Sequence, residues 1–338
     1  MKFKSKLKKL TAALLAGSLL SCACACAAEP ERYESELYAM NTVVSLTFYG
    51  SDETAAVSAE LNRLESLFSV TRESSDIGIL NSSQGEAVDV SEETIDILNI
   101  AKSIYNDTDS AFDPTIYPVV RLWGFTTDEF SVPSDEELQQ ALKLVDFSKV
   151  EISADTVTLP QGAMLDLGGI AKGYAGRLCR DILKESGVES AVISIGGNVQ
   201  TVGENPRNDK WRIALRNPDG GQYLCNILVD ETAVVTSGGY ERYFEIDGKR
   251  YHHIIDPSTG SPADSEFESV TVVAEDGAVA DALSTAFFIG GQKLVKNYLA
   301  EHEEIGVVIY TVDGTLLVSE NMSSGVELSG AVDEMELI

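Results

Sequence analysis

Residues 307–319 read VVIYTVDGTLLVS, two apolar and largely β-branched runs meeting at Asp313-Gly314. Asp-Gly between such runs marks a hairpin, because both residues tolerate the positive φ of a primed turn, so the flanking strands are antiparallel neighbours. The same signal recurs at Asp247-Gly248 inside YFEIDGKRYHHII, residues 243–255. Working outward, SAVISIG (190–196), WRIALRN (211–217), CNILVD (225–230), TAVVTSG (232–238) and SVTVVAE (269–275) read as short strands divided by Gly, Asn, Asp and Pro turns. Before residue 150 the pattern is different. NTVVSLTFYG (41–50) alternates like a strand, but ETAAVSAELNRLESLFS (53–69) and SEETIDILNIAKSIYNDT (91–108) have helical spacing. Ser91 is placed to cap the second helix, with Glu92 and Glu93 in its first turn, and Ser134 and Glu137 have capping-box spacing at the head of PSDEELQQALKLV (133–145). Helices come early, strands dominate late, and regular strand–helix alternation is missing. The expected fold is α+β, with mixed, largely antiparallel sheets flanked by helices.

The amino terminus carries five lysines before a short apolar run and Cys22, the layout of an export signal. The run is too short for a permanent membrane span. Leu19-Leu20-Ser21-Cys22 resembles the bacterial lipobox, in which the cysteine becomes the lipidated first residue; the alternative is a plain signal cleaved after Ala27-Ala28. The expected organisation is a signal at 1–21, a small and polar tether at 22–32, and one domain at 33–338. The chain would be exported and held by Cys22 to the outer face of the cytoplasmic membrane.

The 338 residues include 54 acidic and 25 basic side chains, a net charge of −29. Such a surface repels nucleic acid, and an anionic substrate must be held by local donors or by a cation. Of five cysteines, Cys22, Cys24 and Cys26 lie in or beside the signal and only Cys179 and Cys225 in the folded part, where either a disulfide or two buried thiols fits them. No metal-type cysteine spacing is present, which argues against a zinc site.

Four stretches carry groups suited to chemistry. MLDLGGIAKGYAGRLCRDILKESG (164–187) reads as a strand turning at Gly168-Gly169 into a helix. Backbone N–H groups at such a corner hold phosphate, and Lys172 sits in a first turn without a carboxylate; a phosphate site and a solvated lysine are both open. In ADALSTAFFIGG (280–291), Asp281 and Thr285 lie one helical turn apart, as a hard-ion site or as a capping Asp with a back-bonded Thr. In YHHIIDPSTG (251–260), His252 and His253 face opposite ways if the segment is a strand, one of them as a general base or as a structural hydrogen-bonding ring. SAFDPTIYPVVRLWGF (110–125) leaves Ala111, Phe112 and Asp113 on a corner, exposed for stacking or packed into a core.

Together with YAMNTVVSLTFYG, SSDIGILN, ISIGGNV and TSGGYERYF, and in one order along the chain, these stretches resemble the ApbE family of bacterial flavin transferases. The resemblance implies that FAD is the substrate: its FMN half passes to a threonine of an exported acceptor flavoprotein, AMP leaves, and Mg²⁺ assists. By motif position, Met40, Ala111, Phe112, Asp113 and Lys172 would contact FAD, with Asp166 near the same corner, and His252 would line the flavin pocket or turn elsewhere. Gly169, through its carbonyl, Asp281 and Thr285 would bind Mg²⁺, and His253 would be the base. Some family members carry a further acid three residues before the metal-binding aspartate; here Ala278 stands there. FAD hydrolysis to FMN and AMP, or flavin binding without catalysis, are the competing readings.

Overall fold

The computed structural model describes residues 30–127, 129–207 and 209–338. The leader, Cys22 and the tether up to residue 29 lie outside them. Arg32–Ile338 forms one compact unit.

The chain starts with the hairpin β1 (Arg32–Ala39) and β2 (Thr42–Tyr49), whose turn residues Met40 and Asn41 have φ of 52° and 58°. Next come α1 (Thr54–Phe68), α2 (Asp76–Ser82), β3 (Val88–Asp89), α3 (Glu92–Asp107), α4 (Tyr117–Trp123), α5 (Asp135–Leu142), β4 (Glu151–Ile152), β5 (Thr156–Thr158) and α6 (Ala171–Glu185). Strands then dominate: β6 (Ser190–Ile195), β7 (Asn198–Gly203), β8 (Trp211–Leu215), β9 (Cys225–Val229), β10 (Ala233–Gly238), β11 (Tyr243–Ile246), β12 (Lys249–His252) and β13 (Phe267–Ala274). After α7 (Gly277–Leu299) come β14 (Gly306–Thr311), β15 (Leu316–Val318), β16 (Val326–Leu328) and β17 (Met335–Leu337). Among the described residues the main sheet has nine strands in the order β1-β2-β6-β7-β10-β13-β14-β15-β17, and only β15 and β17 pair in parallel. Smaller antiparallel sheets are β16-β9-β8, β11-β12 and β3-β5-β4. The α+β class and the antiparallel bias are as expected, and both Asp-Gly hairpins form.

Both faces of the main sheet are covered. On β13, Val270, Val272 and Ala274 join the helices in one core while Val273 enters a second with Trp211 and Ile227 of the β8–β9 sheet. On β14, Val307 and Ile309 face the helices and Val308 faces the small sheet. Two-sided burial explains why β13 carries valine on both of its faces, and each fully buried large side chain contributes roughly 1.5–3 kcal/mol. A third cluster of Trp123, Phe125, Phe244 and Ile255 ties α4 and α5 to the β11–β12 hairpin.

Local capping behaves as read. Ser91 Oγ accepts from Thr94 N–H at 3.2 Å, and Ser134 with Glu137 makes a reciprocal capping box. The expected strand at 164–167 does not form beyond one bridge, Met164 with Ile116. Asn81 occupies the place of a neighbouring strand: its Nδ2 donates to Leu165 O at 2.9 Å and its Oδ1 accepts from Leu165 N–H at 2.6 Å. The corner at 111–113 is not exposed, since Phe112 and Asp113 are both buried. Cys179 and Cys225 are free, buried thiols in different apolar clusters, and burial pushes both up to about 12.

A candidate active-site cleft

One cleft of about 1180 Å³ gathers Met40, Ala111, Phe112, Asp113, Asp166, Gly169, Lys172, His253, Asp281 and Thr285 from five separate segments. The close approach of α6 and α7 makes the floor. A Cβ on Gly173 would lie 1.9 Å from Gly277 O and 2.7 Å from Asp281 Cβ, so only glycine lets these helices meet. Their contact brings Asp281 of α7 under the first turn of α6, where its Oδ2 accepts from Gly173 N–H at 2.9 Å. Asp281 is only 3% exposed and is no helix cap, because Asp276 caps α7 instead. Lys172 Nζ stands 3.8 Å from Asp281 Oδ1 and donates to Gly168 O at 3.4 Å. The first turn of α6 holds no acid of its own, so a carboxylate from the neighbouring helix supplies the counter-charge.

Gly169 and Thr285 meet on the same floor. A Cβ on Gly169 would come within 3.1 Å of Phe112 Cε2 and 3.4 Å of Thr285 Oγ1. Phe112 therefore forms cleft wall by packing on the glycine corner. Asp113 is turned inward: Oδ1 accepts from Thr115 N–H at 2.7 Å and Thr115 Oγ1 at 2.5 Å, and Oδ2 from Phe147 N–H at 3.2 Å. Its carboxylate builds the corner from inside while the residue still lines the cleft. Desolvation nevertheless pushes that carboxyl up, against these hydrogen bonds. Asp166 Oδ1 accepts from Gly168 N–H at 2.8 Å; burial pushes this carboxyl up too, opposed by that bond and by the Arg242 and Lys172 charges. Met40 is fixed at its hairpin turn by its N–H, which donates to Glu65 Oε2 at 2.8 Å.

The paired histidines separate. His253 Nδ1–H donates to Arg242 O at 3.1 Å, which assigns the lone pair to Nε2. Burial pushes the ring down to about 4, aided by nearby Lys172, His252 and Arg242, so it is neutral at pH 7. His252 does not line the cleft. Its Nε2 lies 3.1 Å from Ala263 O, its ring meets Phe288 edge-on, and among the described residues its buried Nδ1 has no partner. The expectation that His252 contacts the flavin is therefore corrected: its strand ends there and carries the ring to the other side of the chain.

The segment TSGGYERYF, quoted for the resemblance without assigned roles, places Ser237, Tyr240, Glu241 and Arg242 in the cleft. Ser237 Oγ is 3.3 Å from Thr285 Oγ1 and 2.8 Å from Ser284 Oγ. Desolvation raises the Glu241 carboxyl to about 7, with Lys172 opposing and Asp281 adding to the rise.

The profile of the ApbE family matches residues 40–309. The chain belongs to the ApbE family. A relative from Klebsiella pneumoniae, named FAD:protein FMN transferase, is 36% identical over 85% of this chain and 92% of its own length. One of the same name from Treponema pallidum is 34% identical over 79% and 81%. The crystal structure of the ApbE protein from Thermotoga maritima superposes with a TM-score of 0.81 at 36% identity, covering 87% of this chain and 99% of that one. The flavin transferase ApbE from Vibrio cholerae gives 0.79 at 27% identity, covering 88% and 99%.

For an ApbE protein the donor chemistry on the cleft floor suits a hard divalent ion. Gly169, Asp281 and Thr285 offer a carbonyl, a carboxylate and a hydroxyl, all oxygen. Among the described residues no group of three or more His, Cys, Asp and Glu could hold a metal, and Ala278 is wholly buried and adds no oxygen. An ion there would take its remaining positions from water and phosphate.

Proposed function

We propose that this chain transfers the FMN half of FAD to a threonine hydroxyl of an exported acceptor protein and releases AMP, with Mg²⁺. The observation that carries the reading is the convergence of Lys172, Asp281, Thr285 and His253 on one cleft, which joins charge for a pyrophosphate to a neutral base. Lys172 and the N–H groups opening α6 bind the phosphates of FAD, offsetting the acidic surface. Gly169, Asp281 and Thr285 hold Mg²⁺, which neutralises phosphate charge when bound. His253 Nε2 accepts the proton of the incoming threonine hydroxyl, whose oxygen bonds to the FMN-side phosphorus as the bond to the bridging oxygen breaks. The flavin packs near Met40, Ala111 and Phe112.

The test mixes the purified protein with FAD, Mg²⁺ and a flavin-accepting domain, and weighs the domain by mass spectrometry. An FMN-sized gain, lost with Asp281→Ala and His253→Ala, supports transfer. Free FMN with an unmodified domain would instead mean hydrolysis. The same reading puts the enzyme on the outer face of the cytoplasmic membrane through lipidated Cys22, supported by the lipobox resemblance. Incorporation of labelled palmitate that disappears in Cys22→Ala tests it.

A further inference from the structure

The cleft extends past the residues that would hold a dinucleotide. Its volume of about 1180 Å³ exceeds the roughly 300–1,000 Å³ of an ordinary small-molecule site, leaving room for a second occupant. Its lining also includes Ile213, Ala214, Leu215 and Arg216 in unbroken succession. Successive side chains of a strand point to opposite faces. In β8, Leu215 is buried in the core between the sheets with Ile213 packed against it, whereas Arg212 and Ala214 are exposed on the other face. Contact with four consecutive residues fits a cavity that runs along the edge of the strand and past its end.

That edge is open. β8 is the outermost strand of β16-β9-β8, and β9 is its one partner among the described strands. Natural edges are commonly blunted by proline, charge or a bulge. Here the four residues include no proline and a single charge, Arg216. The same cleft is lined by Gly196 and Gly197 of the β6–β7 turn, with φ of 57° and 95°. A Cβ on Gly197 would find only Glu241 Oε1, at 4.0 Å, so this part of the wall is low.

The geometry points to the free edge of β8 as the docking lane for the acceptor protein. An extended segment of the acceptor adds to β8 as a further strand and delivers its threonine into the enclosure shared by Lys172 and His253. The inference rests on the flavin-transfer reading. Main-chain pairing supplies affinity without demanding sequence, while alternate side chains of the segment confer selectivity. The acceptor's threonine must then lie in a loop or terminus that can extend, not within a helix.

The test uses peptides copied from the flavin-accepting domain and centred on its modified threonine, N-methylated one amide at a time. Strand addition predicts an alternating pattern: kcat/KM falls at least tenfold at every second position and less than twofold between. Ala214→Pro should raise the KM for the intact acceptor domain at least tenfold while FAD affinity and Tm hold. An even loss along the peptide, or a folded Ala214→Pro enzyme with unchanged acceptor KM, overturns the proposal; if that variant does not fold, the methylation pattern decides. Concentration-dependent dimerisation abolished by Ala214→Pro would assign the edge to a second copy of this chain and equally overturn it. Failure of the wild-type enzyme to flavinylate either peptide or domain would instead remove the transfer reading itself, and this proposal with it.

Discussion

The N–H of Gly173 donates to Oδ2 of Asp281 at 2.9 Å, across the tightest contact between α6 and α7. One oxygen of the carboxylate is thus used to orient it, and the other faces Lys172. Asp281→Asn keeps the shape and removes the charge. Transfer should fall ~100-fold or more, the scale of losing one preorganised electrostatic group, with Tm nearly unchanged. Stopped assays and a thermal melt on the same preparation check both halves.

Gly173→Ala acts on the same contact from the other side. The added methyl has no space between Gly277 O and Asp281 Cβ, so the helices must separate. Overpacking of this kind costs typically 1–3 kcal/mol. Differential scanning calorimetry should show a lowered Tm. Activity measured well below that Tm should also be lost, because Asp281 moves with α7.

Ser237→Ala tests the support beneath Thr285. The serine bridges Thr285 Oγ1 and Ser284 Oγ, and loss of a group orienting a metal ligand commonly weakens metal binding ~10–100-fold. Titration of Mn²⁺ followed by electron paramagnetic resonance reads this directly. An unchanged affinity would remove Ser237 from the site.

His253 ordinarily titrates at 6.5 and is pushed down to about 4 in the folded protein, chiefly by burial. Between those values the unfolded chain binds more protons than the folded one. The stability present above pH 6.5 is therefore lost as pH falls through that window, by up to about 3 kcal/mol. Urea midpoints taken at pH 7 and pH 4.5 should drop less for His253→Gln than for the wild type. The acid limb of kcat/KM should also lie below 6.5; a limb at or above that value would contradict a buried, neutral ring.

Cys179 and Cys225 should resist a thiol reagent in the native protein and react together on unfolding. Their thiols are buried and raised to about 12, leaving almost no thiolate at neutral pH. Two equivalents of colour released by Ellman's reagent in denaturant, from protein that begins at residue 30 and so lacks Cys22, Cys24 and Cys26, would confirm it.

Local signals were legible because each is contained within a few residues: Ser91 and Ser134 as caps, Asp247-Gly248 and Asp313-Gly314 as turns. The seven-residue helices α2 and α4 are too short for periodicity to reveal, although Pro118 at the start and Gly124 at φ 82° after the end of α4 were available marks. The strand expected at 164–167 failed because its neighbour is a side chain, Asn81, more than eighty positions away, a relationship no spacing encodes. Local chemistry marked Lys172, Asp281, Thr285 and the paired histidines, and motif resemblance added Met40 and Asp166, but neither gave their directions. Whether His252 or His253 faces the cleft depends on where β12 stops, and the inward turn of Asp113 depends on Thr115 and Phe147. Ser237 and Glu241 went unassigned since nothing local to them signals a neighbour forty or more residues on.

The cleft draws its groups from Met40 to Thr285, so a chain still on the ribosome and short of α7 has Lys172 and the first turn of α6 but neither Asp281 nor Thr285. Chemical competence arrives in a single late step of synthesis, and proteolytic fragments lacking the final sixty residues would be inert however well they kept their shape.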